Sequence, residues 1–464
     1  MIAKLGRVLT KVFSKSAPDP FVIAIGLTLV AAVLALTLGH YEGVSSFSDK
    51  ADAMIDSWRG TSEYPGGIWK FLRFGMQMSL ILVTGHALAA SKPVSKMIGV
   101  LASIPRSAPA AAALVGFIAV LFGLINWGLG LIVGALFARE VAKVCAQRGI
   151  KVHGALLAAA GYMGLLVWHG GFSGSAPLVM TNEVDASGVL PAQVLETMDV
   201  KHIPLSDTLL SPMNLFVAGG LLLIVPMVLW MLTPKADEEI VPMQVVENER
   251  VDEARDGTFP DWVERSPIVV WLLAGMLLWA FVRFSNTSGL MKLGPNEVNV
   301  FMPAIGLVMH GSVRSYVAAA EDGARGCAGI ILQFPLYAGI MALLASSGLI
   351  NDFSVWVGSL ANETTAPLFT FFSAGTVNLF VPSGGGQWAI QGPIALQTGA
   401  QAGVDPAKMV MAVAYGDQLT NMLQPFWALP LLAITKVKAR EIVGYTAVVM
   451  LVAGAWMMLG LLIF

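Results

Sequence analysis

The sequence is poor in charge and in cysteine, and each shortage excludes a class of protein. Only 12% of its 464 residues are charged and 56% are hydrophobic, which is not the composition of a water-soluble domain. The net charge of −2 gives no indication of nucleic-acid binding. Cys145 and Cys327 are far apart and lack metal-ligand spacing, so neither a disulfide framework nor a cysteine metal site is expected.

The chain is rich instead in apolar runs of about 18 residues or more, which is the length that crosses a bilayer as a helix. The first run, residues 21–39, is longer than the apolar part of a signal peptide, and no small-residue cleavage site follows it. We therefore expect an uncleaved first span. Its amino end should lie in the cytoplasm, because the residues before it include Lys4, Arg7, Lys11 and Lys15.

Two apolar segments in the first part of the chain are interrupted. Residues 108–137 are broken around Asn126-Trp127-Gly128-Leu129-Gly130 and have basic residues at both ends. Since basic residues collect on the cytoplasmic side, this pattern predicts a re-entrant hairpin that enters and leaves from the cytoplasm. Residues 154–179 are interrupted at 168–177 and predict a broken transmembrane helix.

The same pair of features recurs near the end of the chain. Residues 367–401 are interrupted at 378–388 and have no lysine or arginine at either end, which favours a hairpin entering from outside. Residues 407–434 are interrupted at 416–421 and predict a second broken helix.

Matching positions indicate an internal duplication. We assign residues 1–233 to a first repeat, 234–284 to a cytoplasmic linker and a linking span, and 285–464 to a second repeat. An odd number of crossings separates the repeats, so the predicted fold is an all-α polytopic membrane protein with two inverted repeats and a site between them. The matching positions are Ser107-Ala108-Pro109 with Thr365-Ala366-Pro367, Asn126 with Asn378, Tyr162 with Tyr415, and Pro177-Leu178 with Pro430-Leu431.

The breaks supply the candidate binding residues, because unpaired backbone at membrane depth survives only in protein or beside a polar cavity. The first turn of a helix offers free N–H donors to a carboxylate. Trp127, Trp168 and Trp388 are candidates for the wall of an apolar pocket around a short acyl chain. The predicted substrate-binding residues are Ser383, Gly384, Gly385, Gly386, Gln387, Ser173, Gly174, Ser175, Asn126, Asn378, His169 and Trp388.

Asp417 is a carboxylate well inside an apolar segment, where an ionisable residue is costly and usually functional. It could serve as a cation ligand or as a proton carrier, and the sequence leaves sodium and proton open. No other cofactor or metal is expected. The predicted cation-coupling residues are Asp417, Asn126, Asn378, Thr420 and Asn421.

The stretch from Val381 to Trp388, with Gln391-Gly392-Pro393 after it, resembles the short-chain fatty acid transporter family. The Ser-Ala-Pro sequence at 175–177 and the Gly-Asp-Gln sequence at 416–418 stand in the order expected of that family. The resemblance covers essentially the whole chain. It implies uptake of short monocarboxylates such as acetoacetate or butyrate across the bacterial inner membrane. It also implies membership of the wider ion transporter superfamily, with elevator-type architecture and often a homodimer.

Three other functions compete with this interpretation. A carrier for dicarboxylates or another organic anion is the nearest alternative, and a passive anion channel is another. Gly171-Phe172-Ser173-Gly174 also matches the pattern of rhomboid-type intramembrane proteases, with His310 a conceivable base. That enzyme hypothesis leaves the second hairpin and Asp417 unexplained, so we predict a transporter and not an enzyme.

Overall fold

The computed structural model describes residues 18–41, 44, 46–181, 183, 186, 202–235, 240–243, 257–289 and 295–464. Within these ranges the secondary structure is helical and contains no strand. The four N-terminal basic residues used to orient the first span, and most of the linker, lie outside the described residues. The helices of the first part are α1 (Pro20–Thr37), α2 (Phe47–Arg59), α3 (Leu72–Ala90), α4 (Lys92–Ala102), α5 (Ala108–Ile125), α6 (Trp127–Gln147), α7 (Gly154–Tyr162), α8 (Ser175–Val179) and α9 (Pro212–Leu232).

The second part repeats this order after two linking helices. Its helices are α10 (Phe259–Arg265), α11 (Pro267–Ser288), α12 (Pro295–His310), α13 (Val313–Ala324), α14 (Ala328–Ser346), α15 (Leu349–Gly358), α16 (Ala366–Asn378), α17 (Gly384–Ala402), α18 (Pro406–Thr420), α19 (Pro425–Thr435) and α20 (Ala439–Ile463). Below, the first half means α1–α9 and the second half means α12–α20.

Seven helical segments of the described chain are long and apolar enough to cross a membrane. Helix α11 exposes Trp271, Leu272, Met276 and Trp279, as expected of a helix that faces lipid. These properties confirm a polytopic, all-helical membrane protein. The orientation of each span stays a prediction.

Helices α5 and α6 form the first hairpin. Gly123 contacts Gly130, and Ala119 contacts Gly134, so the two arms run antiparallel about Asn126. The second arm continues to Gln147, ten residues beyond the predicted end at 137, because the charged residues after Phe137 extend the helix instead of ending it. Both arms are long enough to span a bilayer, so re-entry remains a prediction.

Helices α16 and α17 form the second hairpin. The side-chain amide of Gln387 donates to the carbonyl of Ala374 at 2.8 Å, and that of Gln391 donates to the hydroxyl of Ser373 at 3.1 Å. These bonds tie the two arms together close to the tip. The hairpin spans residues 366–402, against a predicted 367–401.

Both predicted broken helices are broken, but at shifted positions. In the first, the α-helix ends at Tyr162, short 3₁₀ turns follow, and helix resumes at Ser175, so residues 175–177 begin the new helix. In the second, residues 416–420 are still helical and the break lies at 421–424. The prediction that the break lies at 416–421 was therefore wrong. Pro425 sets this position, because it cannot donate its backbone nitrogen and forces Gln424 into an extended conformation.

Matching glycine contacts support the alignment of the two halves. Gly164 packs against the carbonyl of Ala119 in the first half, and Gly416 packs against the carbonyl of Phe371 in the second. Gly416 and Phe371 lie 252 residues after Gly164 and Ala119, and the same offset separates Asn378 from Asn126. A Cβ on either glycine would overlap that backbone, so each half needs glycine here.

Helices of one half also pack against helices of the other half. Helix α3 of the first half packs along α12 of the second, with Asn299 donating to the carbonyl of Gln77 at 2.9 Å. Helix α14 of the second half packs along α1 of the first, and the His40 N–H donates to the carbonyl of Ser347 at 2.8 Å. We call α1, α3, α12 and α14 the scaffold. The short helices α2, α4, α13 and α15 lie beside it and were not predicted.

Candidate functional site

The centre of the site joins the two breaks. Nδ1 of His169, in the first break, lies 2.6 Å from Oδ2 of Asp417 in α18, and neither side chain is more than 1% exposed. Nε2 of His169 lies 3.0 Å from the N–H of Ala176 and must accept that bond, so Nδ1 carries the ring proton and donates it to Asp417. The structure therefore brings together the two ionisable residues that the sequence singled out separately.

Side chains of both halves hold the first break. Oε1 of Gln418 accepts the backbone N–H groups of His169 at 3.0 Å and Gly170 at 2.9 Å. The carbonyl of Gly170 accepts a bond from Asn214 at 2.9 Å, and Tyr415 donates its hydroxyl proton to Asn214 at 2.9 Å. The unpaired backbone of the break is thus satisfied by protein, as a membrane interior requires.

The second break is held in the same manner by the first half. The hydroxyl of Tyr162 lies 2.9 Å from the carbonyl of Asn421 and 3.3 Å from that of Gln424. Tyr162 and Tyr415, which the sequence paired as repeat positions, therefore each act on the break of the other half, Tyr415 through Asn214.

Asn378, at the end of α16, anchors the second hairpin to α18. Its side-chain nitrogen lies 2.7 Å from the carbonyl of Asp417, 2.9 Å from the hydroxyl of Thr420 and 2.9 Å from Oδ1 of Asn421. The side-chain amide of Gln424 donates to the carbonyl of Asn378. The structure thus brings four of the five predicted cation-coupling residues together and adds Gln424.

Asn126, the fifth, lies elsewhere, at the tip of the first hairpin. Its Oδ1 accepts the N–H groups of Gly128 at 3.0 Å and Leu129 at 3.2 Å. The hydroxyl of Ser173 accepts the N–H of Trp127 at 2.9 Å. Protein groups therefore occupy the donors at this tip, which makes it a poor receptor for a substrate carboxylate.

The tip of the second hairpin is open by comparison. Ser383 caps α17 by accepting the N–H of Gly386 at 3.2 Å. Within the described residues, no acceptor contacts the N–H groups of Gly384 and Gly385, and Gly385 is exposed. The first turn of a helix has unpaired N–H groups and partial positive charge, so this tip can receive an anion.

Residues of the first break surround this tip. A Cβ on Gly384 would lie 2.5 Å from the Trp168 ring and 2.9 Å from Cε1 of His169, so only glycine fits there. The Ser175 hydroxyl lies 3.8 Å from the Cβ position of Gly385, close to the tip. The ring of His169 thus stands between the anion-receiving tip and the Asp417 carboxylate.

Other predicted residues do not face this space. Gly174 packs against the carbonyl of His169 and shapes the turn. Gln387 and Trp388 are fully buried inside the second hairpin. Trp127 packs edge-on against Trp427 with ring centres 5.3 Å apart. Of the three tryptophans proposed to wall a pocket, the structure places Trp168 beside the tip, stacked on His169 at 4.4 Å.

Ser173 and His310, the pair of the protease hypothesis, have other partners. Ser173 binds the first hairpin, whereas His310 lies 2.9 Å from the hydroxyl of Ser315 and 2.7 Å from the carbonyl of Ala87. His86 pairs with Asp322 at 2.9 Å. His86 and His310 thus have the structural contacts expected of them.

The site carries one formal charge. Residues 119–134, 163–179, 371–391 and 409–435, which form the tips and breaks, contain Asp417 and no other charged residue. Bringing a substrate carboxylate beside Asp417 costs on the order of a few kcal/mol of repulsion at intermediate dielectric unless a cation accompanies it.

Sequence reasoning missed Gln418, Asn214 and Gln424 as site residues. Gln418 follows Asp417 directly, and Gln424 precedes the proline that ends the break, so each had a local signal. Asn214 lies three residues after the cap of α9 and had none, because its role depends on contacts with distant segments.

The chain is similar to known proteins over its whole length. The chain matches the family described as Short chain fatty acid transporter over residues 1–464. Two relatives bear that family's name: one from Escherichia coli (strain K12), 37% identical over 100% of both chains, and one from Haemophilus influenzae (strain ATCC 51907 / DSM 11121 / KW20 / Rd), 35% identical over 99% of both.

Two solved structures are distantly similar. They are Neisseria gonorrhoeae MtrF, at 18% identity, covering 98% of this chain and 96% of that one, and the Alcanivorax borkumensis YdaH transporter, at 17% identity, covering 96% and 97%. Both have a TM-score of 0.42. The full-length family match and the two relatives are decisive: this chain belongs to the short-chain fatty acid transporter family.

Proposed function

We propose that this protein is a secondary active transporter. It takes up short-chain monocarboxylates of the butyrate and acetoacetate type across the bacterial cytoplasmic membrane, together with a cation. The observation that carries this proposal is the open first turn of α17, where the N–H groups of Gly384 and Gly385 have no acceptor among the described residues. With the Ser175 hydroxyl they form a receptor for one carboxylate.

The charge of the site supports a single carboxylate over two. No arginine or lysine occurs among the residues of the tips and breaks, so a second carboxylate would have no cationic partner. This argument favours monocarboxylates over the dicarboxylate alternative. A short acyl chain can lie against the Trp168 ring.

Coupling to a cation follows from Asp417. The buried carboxylate and the substrate carboxylate would face each other across the His169 ring, so a cation that binds near Asp417 lowers their repulsion. Substrate and cation then favour each other's binding, which is the requirement for symport.

The proposed mechanism has the second hairpin carry the carboxylate past the scaffold in an elevator-type movement. The repeated order of helices and the matched glycine contacts support two inverted repeats. The proposal includes a homodimer, an amino terminus in the cytoplasm and re-entrant hairpins.

Radiolabelled butyrate uptake into proteoliposomes tests the proposal. We expect saturable uptake that an inward cation gradient stimulates, and counterflow of label into vesicles preloaded with unlabelled butyrate. A passive anion channel would give uptake without counterflow. No saturable butyrate uptake under a sodium or a proton gradient would overturn the substrate, and succinate would be tested next.

A further inference from the structure

We propose that the coupling cation is sodium, and that Asp417, Asn378 and Gln424 bind it. This inference rests on the proposed function, because it names the cation of the same site. It concerns three oxygen atoms around the second break.

Each of these residues has a buried oxygen without a hydrogen-bond partner in the described chain. The atoms are Oδ1 of Asp417, Oδ1 of Asn378 and Oε1 of Gln424. None of the three residues is more than 4% exposed. A buried acceptor left without a partner is costly, and three in one hydrogen-bonded group call for a shared ligand.

The three residues are immediate neighbours. The side-chain nitrogen of Asn378 contacts the carbonyl of Asp417 at 2.7 Å, and the side-chain nitrogen of Gln424 contacts the carbonyl of Asn378. The proposal places their remaining oxygens around one ion between α16, α18 and the break.

The hydrogen bonds also fix which amide atoms are oxygens. Nδ2 of Asn378 faces three oxygens, those of Asp417, Thr420 and Asn421, so a flipped amide would place a fourth oxygen against them. A flipped Gln424 would place its oxygen against the carbonyl of Asn378. The unpartnered atoms are therefore acceptors and cannot be satisfied by turning the side chain.

The number and type of these oxygens distinguish sodium from a proton. A proton on Oδ1 of Asp417 can be donated to one amide oxygen at most, which leaves the other without a partner. A sodium ion takes several hard oxygen ligands at once, and broken membrane helices supply such sites. One ion of this kind satisfies all three oxygens.

Among the described residues of the first half, the equivalent position offers no counterpart. Oδ1 of Asn126, at the position equivalent to Asn378, already accepts the N–H groups of Gly128 and Leu129. One sodium site per chain gives a stoichiometry of one sodium ion to one monocarboxylate, and the loaded pair carries no net charge.

Sodium binding can be measured without substrate. The purified protein is titrated with NaCl, with choline chloride keeping the ionic strength constant, while thermal unfolding and tryptophan fluorescence are followed. We expect a saturable shift with sodium and none with potassium at equal concentration. The absence of a sodium-specific shift in the wild-type protein would overturn the inference.

Two sets of variants locate the ion. Asp417→Asn should raise the Kd for sodium by about tenfold or more, whereas Asp322→Asn, which alters the matched pair with His86, should leave it unchanged. Both Gln424→Glu and Gln424→Met lose the amide that donates to Asn378, but only glutamate keeps a ligand oxygen, so Gln424→Glu should weaken sodium binding less than Gln424→Met. If the glutamate and methionine variants weaken binding equally, Gln424 only donates to Asn378 and is not a ligand.

Uptake separates this inference from the proposed function. Butyrate uptake that is driven by a proton gradient and does not depend on sodium would support the proposed function and overturn the sodium site. Sodium binding without butyrate uptake would support the sodium site and overturn butyrate as the substrate.

Discussion

His169 and Asp417 lie 2.6 Å apart although 248 residues separate them in the sequence. The pair connects the first break to the second, and Nε2 of the same ring accepts the N–H of Ala176, near the start of α8. One imidazole thus positions a carboxylate, a helix start and the wall of the anion-receiving tip. Replacement of this ring should affect transport more than replacement of other buried histidines.

The first prediction compares two histidines with aspartate partners. His169→Gln should lower the initial rate of butyrate uptake by about tenfold or more, since losing one bond of a buried charged group has an effect of this size. His86→Gln, which alters the pair with Asp322 outside the site, should keep most of the activity. Equal rates for His169→Gln and wild-type protein at matched amounts in proteoliposomes would contradict the role given to His169.

The second prediction concerns the tip of the second hairpin. Gly384→Ala should abolish measurable uptake, because the added methyl group would collide with Trp168 and His169 and move the tip. Gly219→Ala is the matched control, since no atom lies within 4 Å of the Cβ position there. Uptake and yield of folded protein are compared for the two variants. Normal uptake by Gly384→Ala would show that the tip does not close on these rings.

The third prediction contrasts two nearby serines. Ser175→Ala should raise KM for butyrate with little change in maximal rate, because it removes a donor that faces the substrate. Ser173→Ala should leave KM unchanged and lower thermal stability, since its hydroxyl caps the first hairpin at Trp127. Concentration dependence of uptake and thermal unfolding in detergent check the pair. Reversal of the two effects would mean that the carboxylate binds the first tip and not the second.

The fourth prediction uses the repeat. Gly164→Ala and Gly416→Ala should each lower the free energy of unfolding by about 1–3 kcal/mol, because both add a methyl group to the same close contact between a hairpin and a helix. Gly275→Ala, where the Cβ position is open, should have little effect. Unequal effects at the two positions would argue against equivalent packing in the two halves.

The elements of this fold could be predicted from local patterns. Uninterrupted apolar runs predicted the spans. Asn126 lies at the turn of the first hairpin and Asn378 ends the first arm of the second. Polar and glycine residues within apolar sequence therefore predicted the position of both hairpins. The second break was placed too early because Gly416 and Asp417 looked like interruptions. In the structure Gly416 is a helical residue that lets α16 approach, and Asp417 is a helical residue whose Oδ2 pairs with His169.

The candidate site was predicted in part. Residue type alone identified Asp417, His169 and the glycines at 384–386 as candidate site residues, because each is unusual in apolar sequence. It could not show that the donors of the first tip are taken by Asn126 and Ser173, or that Gln424 belongs to the second break. Those facts depend on hydrogen bonds between residues far apart in sequence, which packing determines and local pattern does not.

The exchange of helices between the halves bears on the ancestry of the protein. Helix α3 covers α12, and α14 covers α1, so each half supplies the neighbour that the other half's first span requires. An ancestral protein that consisted of one half would have lacked the helix that packs against its first span. Under the predicted duplication, such a protein would therefore have needed a second copy of itself, and fusion of the two genes would have made that association permanent.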